Sequence, residues 1–113
     1  MRIAILACLN ANDVCTGAGC LSAFNERKGG FACYGEEKLQ LAAFLRCSTC
    51  GKKLEEDPGM QEKLDRLVSI GTEAVHIGVC AQKKGKPCPY MEEKANWLMQ
   101  HGISVIWKTH DSH

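Results

Sequence analysis

The chain is poor in aromatic residues, which make up 6% of its 113 positions, and nearly balanced in charge, with a formal net charge of +1. Without an excess of positive charge it lacks the electrostatic footprint of a protein that grips nucleic acid or an anionic membrane. So few aromatics also argue against a base-stacking surface. No run approaches the ~20 apolar residues that a membrane-spanning helix needs. Internal repeats and low-complexity segments are missing too, which leaves a single domain over residues 1–113. Nucleic acid and membrane are therefore not expected partners, and no feature marks a particular protein partner.

The N-terminal segment Ile5-Leu6-Ala7-Cys8 has the look of a lipoprotein cleavage site. Its apolar run, residues 3–9, is however at the bottom of the range for a signal sequence, with almost nothing in front of it. Cleavage there would also remove the best first strand. The segment reads as a strand, and the chain is expected to be cytoplasmic.

What the chain has in plenty is cysteine, eight in all. In an oxidising compartment an even count in so short a chain suggests disulfides; in a reducing one it points to metal or redox chemistry. The apolar segments are sufficient for a core of their own, so the second meaning is preferred. The stretch that draws attention is Cys47-Ser48-Thr49-Cys50. Two thiols at this spacing can face one point when the backbone turns, as a shared metal ion requires, and the spacing also suits a disulfide that opens and closes.

Taken in order, residues 2–8 form a short apolar run that predicts a buried strand. A loop rich in Asn, Asp and Gly follows, with a short helix predicted from Cys20 to about Lys28, turning Leu21 and Phe24 inward and ending at Gly29-Gly30. Residues 31–38 read as a polar connection. Residues 39–46 predict a second strand, apolar on both faces and hence central in a sheet. Asp57-Pro58 marks a helix start, since Asp is a favoured N-cap and Pro suits the first turn. Met60, Leu64, Leu67 and Val68 then repeat with helical spacing up to Gly71. Residues 74–79 predict a third strand, Pro89 opens a helix with Met91, Ala95, Leu98 and Met99 inward, and residues 103–108 predict a fourth strand. This alternation implies an α/β fold: a small three-layer sandwich with a four-stranded parallel sheet, flavodoxin-like in arrangement.

In such a sheet ligands bind beyond the carboxyl ends of the strands. Cys8, Cys47, Cys80 and His110 fall at those four ends, Cys50 lies in a loop on the same edge, and Cys88 precedes the last helix. These six are the expected metal ligands, with Cys15 and Cys20 as a possible second tier. Cys20 and Cys88 lie near helix N-termini, where unpaired amide groups favour a thiolate, and Lys52, Lys53 and the run 83–86 add positive charge in sequence. Six donors exceed one tetrahedral zinc site, so a binuclear centre, an iron-sulfur cluster with spare thiols, or one site plus reactive cysteines all remain open. A thiol-disulfide enzyme or redox sensor built on Cys47 and Cys50 is the alternative. A phosphatase of the Cys-x5-Arg type is excluded, because no cysteine has an arginine six positions on. Cys33 reads as a structural or spare surface thiol, His76 as a hydrogen-bonded core residue, and the 83–86 lysine run as a solvated loop. Thr16-Gly17-Ala18-Gly19 matches neither of the common phosphate-binding patterns. His101 and His113 carry no role.

Together these motifs resemble the CGGC-domain family. The likeness runs through Cys8, the Cys15 and Cys20 loop, Phe24-Asn25-Glu26-Arg27-Lys28-Gly29, the pair Cys47 and Cys50, His76, Cys80, Pro87-Cys88-Pro89 and Thr109-His110. The resemblance implies metal binding, with zinc foremost and an iron-sulfur cluster as the alternative, and no defined reaction. The family's two central glycines are Ser48 and Thr49 here, a histidine often found after the Cys-Pro turn is Tyr90, and Cys33 has no counterpart.

Overall fold

The computed structural model describes residues 1–83 and 85–110. Lys84 of the basic loop and His113 lie outside the described residues.

Strand β1 (Arg2–Ala7) is almost wholly apolar, and Ile3, Ile5 and Leu6 are fully shielded from solvent. Each such side chain contributes about 1.5–3 kcal/mol on burial, which makes β1 the strand that the others assemble around. Helix α1 (Ala18–Glu26) follows, then strand β2 (Gln40–Arg46), helix α2 (Pro58–Ser69) and strand β3 (Ala74–Ile77). A short antiparallel pair, β4 (Gln82–Lys83) and β5 (Lys86–Pro87), leads into helix α3 (Pro89–Gln100) and strand β6 (Ser104–Ile106). Strands β2, β1, β3 and β6 lie in that order in one all-parallel sheet. The expected α/β sandwich with a four-stranded parallel sheet is the fold observed, and it is consistent with a flavodoxin-like arrangement.

Alternation along β1 divides the core. Ala4 and Leu6 face Met60, Leu64 and Leu67 of α2 and Met91, Ala95 and Leu98 of α3. Ile3 and Ile5 face Cys20 and Ala23 of α1 together with Phe31. Asp57 caps α2 as expected, its Oδ1 accepting the Met60 N–H at 3.2 Å, an arrangement typically worth about 1 kcal/mol.

Four local expectations are corrected. Strand β2 lies at the sheet edge, not its centre; its apolar residues are only half-buried, Ala43 and Leu45 packing against one core cluster and Leu41 against the other, while Phe44 stays exposed. In α1 the helix starts two residues earlier than expected and turns Cys20 and Ala23 inward, leaving Leu21 exposed and Phe24 half-buried. Val68 and Met99 likewise face out, and Lys94 takes the inward place in α3. The connection after α1 is not simply polar: residues Gly29–Tyr34 form a 3-10 turn that buries Phe31.

That turn is held by His76, which is fully buried in β3. Its Nδ1 lies 2.8 Å from Lys108 O and its Nε2 lies 2.6 Å from the Tyr34 hydroxyl, while the Phe31 ring stacks on it with centroids 4.2 Å apart. A carbonyl can only accept, so Nδ1 carries the proton and Nε2 accepts from Tyr34. Burial pushes the Tyr34 phenol up to about 12, which keeps that donor protonated. The His76 core assignment holds, and its bond to Lys108 ties the segment after β6 to the sheet.

Burial depresses the His76 pKa, partly opposed by its bond to Lys108 O. Above about pH 6.5 both folded and unfolded states are neutral there and stability is indifferent to the group. As pH falls below that value the unfolded chain takes up a proton that the folded one resists, so stability declines. Denaturant titrations from about pH 7.5 down to about 5 should show this decline, and His76→Gln should flatten it. A pH slope unaltered by the substitution would contradict the assignment.

Candidate metal and thiol centre

Parallel pairing brings the chain segments that leave β1, β2, β3 and β6 to one edge of the sheet. Cys8 and Cys47 directly follow β1 and β2; Cys80 lies in the 3-10 turn Val79–Ala81 after β3; His110 ends the segment after β6. Cys88 is the N-cap of α3, and Cys20 lies in the first turn of α1. The expected ligands do occupy this edge, but in two groups.

The first group lies on the α2 and α3 side. Cys8, Cys47, Cys50 and Cys88 line a cavity of ≈ 20 Å³ with Met91 and Lys94. The Cys88 N–H donates to Ala81 O at 2.8 Å, which joins the start of α3 to the loop after β3. Cys47 is buried and Cys50 is exposed, with the Cys50 sulfur accepting the Asn10 side-chain amide at 3.1 Å. Lys94 is 1% exposed and its ammonium donates to Tyr90 O at 3.2 Å. Among the described residues no carboxylate lines this cavity. Burial pushes the Cys47 thiol up; the Lys94 charge pulls it down, and the thiols of Cys8, Cys88 and Cys50 add to the upward push.

The second group lies on the α1 side. The Cys80 and Cys20 sulfurs both approach Gly78, at 3.2 and 3.9 Å from where a Cβ on that glycine would stand. Cys80 Sγ also accepts the Cys8 N–H at 3.2 Å, so the two groups adjoin through Cys8. Cys20 Sγ contacts Thr109 Oγ1 at 3.1 Å, and the His110 ring packs over Gly19. Burial raises the Cys20 thiol, with Cys80 and Cys15 adding to the rise and Thr109 opposing it. Cys15 behaves in the opposite way. The Arg46 guanidinium and the Gly17 N–H beside its sulfur hold it below the ordinary thiol range. Arg46 is well anchored for this: it donates to Cys8 O at 3.2 Å and to Cys15 O at 3.4 Å, and lies over the Phe44 ring. Gly17 caps α1 with φ 79, and a Cβ there would stand 3.2 Å from the same ring.

Cys33 stands apart from both groups, exposed, its thiol donating to Gly30 O. Among the described residues no group of three or more His, Cys, Asp or Glu side chains is placed so as to hold a metal ion, and no helix is long and apolar enough to cross a membrane. A wider groove of ≈ 620 Å³ between α2 and α3 is lined by Glu55, Asp65, Glu92 and Trp97 and touches none of the cysteines.

Three polar residues of the site were not singled out by motif: Lys94, Arg46 and Asn10. Lys94 carried a usable signal, since it falls three residues after Met91 and four before Leu98, squarely on the buried stripe. Arg46 and Asn10 had none, being a strand-end cation and a loop amide like many others.

The family model for the CGGC domain matches residues 2–110. No curated protein and no solved structure matches the chain.

The contrast among thiols has a direct readout. Limited alkylation of the native reduced protein near neutral pH, followed by peptide mass spectrometry, should label Cys15 well ahead of the buried Cys20 and Cys47. Arg46→Met should remove the Cys15 lead. Preferential labelling of Cys47 would contradict the electrostatics described.

Proposed function

The chain belongs to the CGGC-domain family, and on that premise we propose that Cys8, Cys47, Cys50 and Cys88 bind a metal ion, zinc foremost. The observation that carries this reading is that four thiols from three separate chain segments line one small cavity beside a buried ammonium. Four cysteine sulfurs make a full donor set for tetrahedral zinc. Four thiolates on a divalent ion leave two net negative charges, and Lys94 supplies an opposite charge at low dielectric. As they stand no three of the four are placed to hold an ion, so binding calls for the side chains to draw together, with the Cys50 sulfur leaving Asn10; Gly51, at φ 77 beside it, gives that turn freedom. Cys80 and His110 belong to the other group and are not assigned to this ion.

The alternative, thiol-disulfide exchange by Cys47 and Cys50, is less well supported. An attacking thiol must ionise, whereas burial raises Cys47.

Protein made and purified without oxygen should carry close to one zinc per chain, colourless, and both Cys47→Ser and Cys50→Ser should lose it. Iron with visible absorption would replace zinc by a cluster. Metal-free protein that also refuses added zinc and iron would overturn the reading. Lys94→Gln should weaken zinc binding on the order of tenfold or more, as loss of a partner behind the ligands commonly does. Competition with a chromophoric chelator measures it, and unchanged affinity would remove Lys94 from the site.

A further inference from the structure

We propose that Cys20 and Cys80 form a reversible disulfide that ties the start of α1 to the turn after β3, with Cys80 reacting first with a low-molecular-weight disulfide and Cys20 completing the bond. The placement of the two sulfurs around Gly78 carries the proposal. Cys80 Sγ and Cys20 Sγ lie 3.2 and 3.9 Å from the single point at which a Cβ on that glycine would stand. They reach it from distant parts of the chain, one from the 3-10 turn Val79–Ala81 and the other from the first turn of α1. Gly78 is itself fixed to the sheet, its N–H donating to Leu6 O at 3.0 Å and its carbonyl accepting the Ala81 N–H at 3.0 Å. Its φ of −66 is open to any residue, so what a side chain would meet there is sulfur, not backbone strain. Neither cysteine lines the four-cysteine cavity, and the reaction is separate from metal binding.

The two thiols differ in access. Cys80 is half-buried and within reach of a small reagent, whereas Cys20 is 5% exposed. Burial also favours the protonated form of Cys20, which suits it to the second step, where its partner sulfur is already activated. Cys80 Sγ meets the Cys8 N–H at 3.2 Å, and Cys20 Sγ meets the Thr109 hydroxyl at 3.1 Å. Thiol sulfur is a weak hydrogen-bonding atom, so both side chains can rotate from these contacts toward each other at small cost. The chemistry balances in two exchanges. The Cys80 sulfur, giving up its proton, attacks one sulfur of the small disulfide; a mixed disulfide forms, the reagent's S–S bond breaks, and one small thiol leaves with that proton. The Cys20 sulfur then attacks Cys80 Sγ; the protein S–S bond forms, the mixed disulfide breaks, and a second small thiol leaves with the Cys20 proton. Overall two protein thiols are oxidised and one small disulfide is reduced to two thiols. Excess small thiol runs the same steps backward.

The test incubates the reduced full-length chain, with a chelator present, in hydroxyethyl disulfide and mercaptoethanol at graded ratios, quenches with acid, and maps linkages without reduction. The expected result is a Cys20–Cys80 linked peptide, two hydrogens lighter than the reduced pair, that reverts with dithiothreitol. Cys20→Ser should stop at a mixed disulfide on Cys80, heavier by one mercaptoethanol unit. Gly78→Ala should slow closure on the order of tenfold, because a small displacement of reacting atoms is costly. Cys20 linked to Cys15 instead, or Cys80 linked to Cys8 or Cys88 instead, would overturn the proposal. So would the lack of any Cys20–Cys80 peptide while other disulfides accumulate. The unmodified chain gives the linkage result, so a poorly folding variant leaves the test intact. Metal content is measured separately, so failure here does not bear on the zinc reading.

Discussion

The parallel pairing of β1 with β2 on one side and β3 on the other is the constraint on which the rest depends. Residues 2–7 pair with 40–46, and residues 3–6 pair with 74–77. Parallel strands end together, so Cys8, Cys47 and the loop that carries Cys80 must emerge at one edge, however far apart they are in the chain. An antiparallel β1 would send Cys8 to the far side, and neither sulfur group would exist. Because Ile3, Ile5 and Leu6 bury on opposite faces, a one-residue slip of β1 would turn each into the wrong layer. The hydrophobic core thereby fixes the register that places the sulfurs.

Two cations divide the chemistry between the faces of the sheet. Lys94, fully enclosed on α3, stands by Cys47; Arg46, at the end of β2, stands by Cys15. Their surroundings differ in the way that matters for sulfur. Where burial dominates, thiols keep their protons until something stronger than water draws the anion out, and a divalent ion does this. Where a guanidinium and an amide stand beside a half-buried sulfur, as at Cys15, they favour the anion. Cys8 joins the two groups: it lines the cavity of the first and meets the second through its backbone.

Much of this was legible in the sequence, because the placement of strand ends needs only the order of elements and the rule that such sheets are parallel. Cys8 and Cys47 fall where the hydrophobic runs predict. The split of the sulfurs into two groups was not legible, since it depends on which face of the sheet each loop crosses. The edge position of β2 was hidden for a different reason: its apolar residues pack partly against the clusters on both faces of the sheet, and such a run does not report how many strands lie alongside. In α1 the inward face differs because Cys20 fills the core position that Leu21 was expected to take. Lys94 shows the converse, a charged residue on an apolar stripe whose meaning emerges only once the cavity beside it is seen.

The central claim is that four sulfur atoms from three separate segments converge on one ion. X-ray absorption at the zinc edge of the loaded protein measures this most directly. The account predicts four sulfur scatterers at about 2.3 Å, falling to three when Cys8 or Cys88, each remote in sequence from Cys47-Ser48-Thr49-Cys50, is replaced by serine. A shell of two sulfurs completed by nitrogen or oxygen, unchanged by either substitution, would contradict it.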